Sequence, residues 1–144
     1  MARIKLNIPE KFEFTTEIPI SINNINYGGH LGNDSLLSLM HEARVRFFKK
    51  NNFTEGNIGG AGIIITDVAI VYKAEGFYGD ILKFEIARED FNKYGCDIVY
   101  KITNKDTGTE VARAKTGIVF FDYREKKIVT TPAIFHKKSN AKML

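Results

Sequence analysis

Tryptophan is absent from these 144 residues, cysteine occurs once, and histidine and proline three times each. A lone Cys96 cannot close an internal disulfide, and with no secretory-type apolar run at the N-terminus the expected setting is a reducing cytoplasm. Cys96 lies in a strand-like stretch and reads as a small core residue rather than a catalytic thiol. The three histidines, His30, His41 and His136, are scattered without the close Cys/His pairing of a zinc site, so no metal is expected. No segment approaches the ~18 uninterrupted apolar residues of a membrane span, which argues against membrane insertion. An excess of one charge is also missing. The formal charge is +4, but five of the 21 basic residues (Arg3, Lys5, Lys137, Lys138 and Lys142) sit at the ends, leaving 16 basic against 17 acidic in the body. Nucleic-acid binding through a basic face is therefore disfavoured.

What is present is an ordinary globular mixture, 44% hydrophobic and 26% charged, at a length that suits one domain. Phe12, Phe14, Thr16, Ile18, Ile20 and Ile22 alternate with more polar neighbours, the period of a half-buried strand, with Pro19 marking an edge or bend. Residues 23–33 are too rich in Asn and Gly to continue it and form a loop. Asn33 or Asp34 can cap a helix running to about Lys50, whose apolar stripe is Leu36, Met40, Ala43 and Phe47 and whose opposite side carries Ser35, Ser38, Glu42 and Arg46. Asn51 and Asn52 stop it. After Gly59, Gly60 and Gly62 come strand-like runs at about 63–73, 80–88, 94–103 and 109–121. A short strand over 128–130 closes the series, and a loosely held tail follows from Pro132. Tight links between consecutive strands imply antiparallel pairing. The expected class is α+β, one long helix covered by a bent antiparallel sheet. Apolar residues occur on both faces of the strands, which suggests a second layer supplied by another copy. The glycine run follows a helix and precedes a strand, the reverse of a phosphate-cradling turn.

The segment Asn24-Ile25-Asn26-Tyr27-Gly28-Gly29-His30-Leu31-Gly32-Asn33, with Glu42-Ala43-Arg44 and Tyr78-Gly79-Asp80 behind it, resembles the hot-dog-fold acyl-CoA thioesterases of the 4-hydroxybenzoyl-CoA thioesterase-like superfamily. The resemblance covers about residues 10–131. It implies a curved antiparallel sheet wrapped around one central helix, hydrolysis of an acyl-CoA or acyl-carrier thioester, and a homodimer or tetramer with a pocket shared between subunits. CoA then enters as part of the substrate, with no further cofactor. The family loop reads Asp-x-Asp-x-x-Gly-His-x-Asn-Asn, and its second Asp acts as nucleophile or base. Here that position is Asn26, the first Asp is Asn24 and the first Asn of the pair is Gly32; Gly29, His30 and Asn33 match. An amide cannot take a proton as a carboxylate does. Plant acyl-carrier-protein thioesterases are similar in pairing an Asn with a His in this loop.

The catalytic candidates are Asn26, His30 and Asp67, and the substrate-contacting candidates are Tyr27, Gly29, Asn33 and Thr66. Backbone amides around Gly29 to Asn33, at a helix N-terminus, suit a developing oxyanion; equally, the glycines permit a tight strand-to-helix connection. His30 can orient water or act as acid or base, or be a structural histidine. Asn26 and Asn33 can hold water or carbonyl, or shape the loop. Asp67 alternates into an apolar row with Ile63, Ile65, Ala69 and Val71, where burial would raise its pKa. Hot-dog dimers bring this strand near the partner's loop, which makes Asp67 a candidate base in trans; an ion pair is the plainer account. Glu42, four residues before Arg46, reads as an exposed ion pair. A non-hydrolytic acyl-CoA or acyl-carrier binding protein is the competing function, and the cone-shaped steroid-isomerase-like fold the competing architecture.

Overall fold

A computed structural model describes residues 3–136. The elements are β1 (Phe14–Pro19), α1 (Asn33–Lys50), β2 (Gly62–Tyr72), β3 (Ile81–Glu89), β4 (Gly95–Asn104), β5 (Glu110–Asp122) and β6 (Lys127–Val129), with 3-10 turns at Ile22–Asn24 and Ala133–Phe135. All six strands form one antiparallel sheet in the order β1-β3-β4-β5-β2, and β6 adds to the end of β5; consecutive strands pair from β3 to β6 as expected, but β2 lies beside β5 and not beside β3, because the link through residues 73–80 crosses the sheet to bring β3 next to β1. The sheet curves around the single helix, which is the hot-dog fold. Edge position explains why β1 tolerates Pro19: pairing continues past it, with Ile20 N–H donating to the Asp80 carbonyl at 2.8 Å, so the residue that lacks an N–H sits where that group would face away from β3.

Helix α1 buries Leu36, Leu39, Met40, Ala43, Phe47 and Phe48 against Ile18, Phe84, Ile86, Ile98, Ile118 and Phe120 of the sheet. The buried stripe is wider than the four-residue one expected, because a curved sheet touches the helix over more of its circumference. At roughly 1.5–3 kcal/mol for each large side chain removed from water, this face dominates the stability of the fold. The helix ends as its sequence dictates: Asn51 Nδ2 donates to the Phe47 carbonyl at 2.9 Å, and Asn52 turns with φ 61°. Its start differs from expectation. The N-cap position is Gly32, no side-chain cap bond forms, and Asn33 is already the first helical residue.

The tail also differs. Phe135 is fully buried, its ring centroid 5.0 Å from that of Phe120 and 5.9 Å from that of Phe48, and its carbonyl accepts from Arg88 Nη1 at 2.7 Å. Residues 132–136 therefore close the core; 137–144, with the terminal lysines, lie outside the described residues. On the outer face of the sheet the cross-strand pair Ala87 and Val99 is buried yet separate from the main core. Arg113 of that face donates to the Leu6 carbonyl at 3.2 Å, so the chain's own N-terminal segment reaches the surface for which a second copy was expected. Cys96 is buried as anticipated, and burial pushes its thiol up to about 12, which keeps it protonated. Among the described residues no helix is long and apolar enough to cross a membrane.

One irregularity matters for the site. The ladder between β2 and β5 slips between Ile65 and Asp67, so Thr66 is the extra residue of a bulge. Before it, the odd-numbered Ile63 and Ile65 pair with the buried Phe120 and Ile118. After it, the even-numbered Val68 and Ile70 pair with the buried Thr116 and Ala114. The bulge thus exchanges the two faces of the strand.

Candidate active site

The loop before α1 is a short hairpin. Asn26 N–H donates to the His30 carbonyl at 3.0 Å, Gly32 N–H to the Asn24 carbonyl at 3.0 Å, and Gly29 N–H, at φ 82°, to the Asn26 carbonyl at 3.1 Å. Leu31 N–H then ties the loop to the Gly76 carbonyl at 2.7 Å, just beyond β2. These bonds correct one expectation: the Gly29 amide is engaged within the loop and is not free for an oxyanion. Among the described residues, the His30 amide and the Asn33, Asp34 and Ser35 amides of the first helical turn carry no such partner, as an uncapped helix start requires.

Asn26 Oδ1 accepts from Gly28 N–H at 2.9 Å, so its carbonyl end shapes the turn and its Nδ2 end is the part available to a ligand. His30 is one-third exposed. Its Nε2 lies 3.6 Å from Glu75 Oε1, and its ring meets Phe77 edge-on with centroids 6.3 Å apart. A Cβ on Gly28 would stand 2.8 Å from that Nε2, so glycine is what lets the ring occupy this place. Tyr27 is fully exposed, and Phe77 and Tyr78 are exposed nearby in sequence to Gly76. Asn33 contributes its carbonyl, which accepts from Tyr72 OH at 3.2 Å and binds the loop end to β2.

Asp67 is elsewhere and otherwise disposed. The bulge at Thr66 turns it to the outer face, away from the row of Ile63 and Ile65; its side chain is 60% exposed and both oxygens accept from Lys115 Nζ, at 2.8 and 2.9 Å. Gly117 N–H adds a third bond at 3.1 Å. The hydrogen bond from Lys115 holds the carboxyl below the usual aspartate range, the reverse of the expected elevation. Within one chain Asp67 is five residues before Tyr72, about 17 Å along the strand at ~3.3 Å per residue, so it does not meet its own His30. Thr66 Oγ1 lies on the bulge beside Gly117. Glu42 bonds Arg46 at 2.7 Å on the surface, as expected of an i,i+4 pair.

A second polar group lies two turns into α1. His41 Nε2 is 2.8 Å from Glu55 Oε1, Arg44 Nε donates to Glu55 Oε2 at 2.6 Å, Arg44 Nη1 to Tyr100 OH at 3.2 Å, and Tyr100 OH bonds Thr116 Oγ1 at 3.0 Å. His41, Arg44 and Glu55 line an open pocket of about 410 Å³ with Gly56, Ile63, Ile65 and Tyr123. Burial opposes ionisation of Glu55, but the bonds and charges of Arg44 and His41 outweigh it and hold the carboxyl below the ordinary glutamate value. Burial pushes the Tyr100 phenol up, so it remains a neutral link in the chain. Among the described residues no three His, Cys, Asp or Glu side chains gather where they would hold a metal.

Residues 20–138 match the family model of the thioesterase-like superfamily. The chain belongs to that superfamily. No curated protein matches it in sequence. Among solved structures it is similar to a 1,4-dihydroxy-2-naphthoyl-CoA thioesterase from Synechocystis, with 21% identity, a TM-score of 0.78, and coverage of 85% of this chain and 91% of that one. A DHNA-CoA thioesterase from Staphylococcus aureus gives 19% identity, a TM-score of 0.73 and coverage of 81% and 78%. A probable thioesterase from Escherichia coli gives 17%, 0.68, and 82% and 90%. At these identities the likeness is one of fold.

In this member of the thioesterase-like superfamily, then, one chain carries Asn26, Tyr27, His30 and Asn33 on a single loop and helix start, with Asn26 and His30 meeting around Gly28, and leaves Asp67 and Thr66 apart from them. The sequence reading missed the His41, Glu55 and Arg44 cluster. One signal was available: Arg44 falls at i+4 from Met40 and i−3 from Phe47, placing a cation on the apolar stripe, where it needs a buried partner. Nothing in the spacing named Glu55 as that partner.

Proposed function

We propose that this protein hydrolyses an acyl-CoA or acyl-carrier thioester at the His30 loop, as a cytoplasmic dimer or tetramer in which a second copy completes the site. The supporting observation is the set of unpartnered amides of His30 and of Asn33 to Ser35, on the same loop and helix start that carry the His30 imidazole and Asn26 Nδ2. Donors fixed in this way stabilise the oxyanion that forms when the carbonyl is attacked, without reorganising at that moment. Tyr27 and Phe77 offer exposed rings beside the loop for an acyl group or adenine to lie against. The acyl group in the name of the Synechocystis structure, 1,4-dihydroxy-2-naphthoyl, makes aromatic acyl-CoAs the first substrates to try. The reading leaves Asp67 out of the proton transfer, because Lys115 and Gly117 hold it ionised and tied to the outer face.

Among the described residues the outer edge of β2, eleven residues long with Ile65, Val68 and Tyr72 exposed, has no neighbouring strand, which supports the dimer, since such an edge is a template for pairing with a second strand. The test is a panel of aromatic and aliphatic acyl-CoAs with free-thiol detection. Turnover that falls at least tenfold in His30→Gln supports the proposal, and absence of turnover across the panel overturns it. A non-hydrolytic binder is the second reading, favoured by Asn26 standing where the family has a carboxylate. Binding of an acyl-CoA without thiol release would establish it.

A further inference from the structure

We propose that His41, oriented by Glu55, is the general base for thioester cleavage and serves the His30 loop of a second copy of this chain. This rests on the thioester reading above. A carboxylate only accepts hydrogen bonds, so the 2.8 Å contact puts the proton of a neutral His41 imidazole on Nε2, and in that form Nδ1 is the lone-pair acceptor. Glu55 is in turn fixed by Arg44, and Arg44 by Tyr100, so the imidazole stands on a chain of bonds that ends in the core. Base, orienting carboxylate and anchoring cation are thus all present, next to an open pocket with Ile63, Ile65 and Tyr123 on its other walls. The charged and titratable groups facing His41 there are Glu55 and Arg44, with Tyr123 across the pocket.

Within one chain His41 is too far from the loop, about 12 Å along the helix from Asn33 at 1.5 Å per residue. Two-fold pairing of β2 with itself removes that distance. An antiparallel, isologous contact about the middle of β2 sets the Ile63–Ile65 end of one strand beside the Tyr72 end of the other and keeps both helices on the same face. Tyr72 is bonded to Asn33, and Ile63 and Ile65 line the His41 pocket, so each pocket is brought to the partner's loop.

In the reaction, water attacks the thioester carbon and gives its proton to Nδ1 while the oxyanion rests on the loop amides. The carbon–sulfur bond then breaks, the imidazolium returns that proton to the departing thiolate, and the products are a carboxylic acid and a free thiol.

The experiment uses His41→Gln, His30→Gln and a doubly tagged heterodimer carrying one change on each subunit, assayed with the best acyl-CoA of the panel. His41→Gln is expected to lower kcat about 100-fold or more and to abolish the rise of rate on the acidic side of the pH profile, at unchanged helical circular dichroism. The heterodimer keeps one intact composite site and is expected to regain about half the wild-type rate. Turnover in His41→Gln within a few-fold of wild type, with the same pH profile, overturns this inference alone. A heterodimer as inactive as its parents does likewise. A wild type that cleaves none of the thioesters overturns the parent reading, and this inference with it.

Discussion

Lys115 grips Asp67 by both carboxylate oxygens, at 2.8 and 2.9 Å, on the face of the sheet opposite to the helix. Asp97 approaches the same ammonium at 3.7 Å, and its own carboxyl is pushed up, chiefly by burial. Asp67→Asn is therefore expected to leave kcat within about threefold of wild type and to cost no more than about 1 kcal/mol in urea unfolding, as exposed ion pairs do. A hundredfold loss of turnover would restore Asp67 to the chemistry.

Gly28 is the neighbour that His30 cannot have as alanine. A methyl there would stand 2.8 Å from Nε2, and Gly28 has no positive φ to strain, so Gly28→Ala should fold with a stability change of about 0.5 kcal/mol or less while turnover falls about 10- to 100-fold. Parallel measurement of Tm and kcat separates the two effects.

Removing one partner of the ion pair between Arg44 and Glu55 leaves the other without its countercharge in a part-buried place. Arg44→Met is expected to destabilise by about 3 kcal/mol in urea unfolding, and the double variant with Glu55→Gln by less than the sum of the two singles.

The same pair gives a pH dependence. Glu55 titrates lower in the folded chain than in the unfolded one, so its contribution is complete above the unfolded glutamate value and is lost as pH falls through the folded one. Urea unfolding between pH 6 and pH 3 should show stability declining with acid, and Glu55→Gln should flatten part of that decline.

Phe135 packs against Phe48, Phe53 and Phe120 with no exposure. Phe135→Ala should cost about 3–5 kcal/mol, and a loss below 1 kcal/mol in thermal or urea unfolding would return residues 132–136 to the status of a loose tail.

The sequence alone determined the helix, the positions of the strands along the chain and the polar loop, because each is written in local chemistry. The four-residue stripe from Leu36 to Phe47 fixes the helix, alternation fixes the strands, and Asn and Gly fix the turn before α1. Tertiary structure decided what local period cannot encode. A single bulged residue, Thr66, reverses the alternation that put Asp67 in an apolar row, and no pattern within β2 announces it; the slip exists only in the pairing with β5. The loop's own hydrogen bonds decided which amides stay free, engaging Gly29 and releasing His30. The bond between His41 and Glu55 joins residues fourteen apart across the end of a helix, so it depends on where the chain returns after Asn52 rather than on any spacing along it.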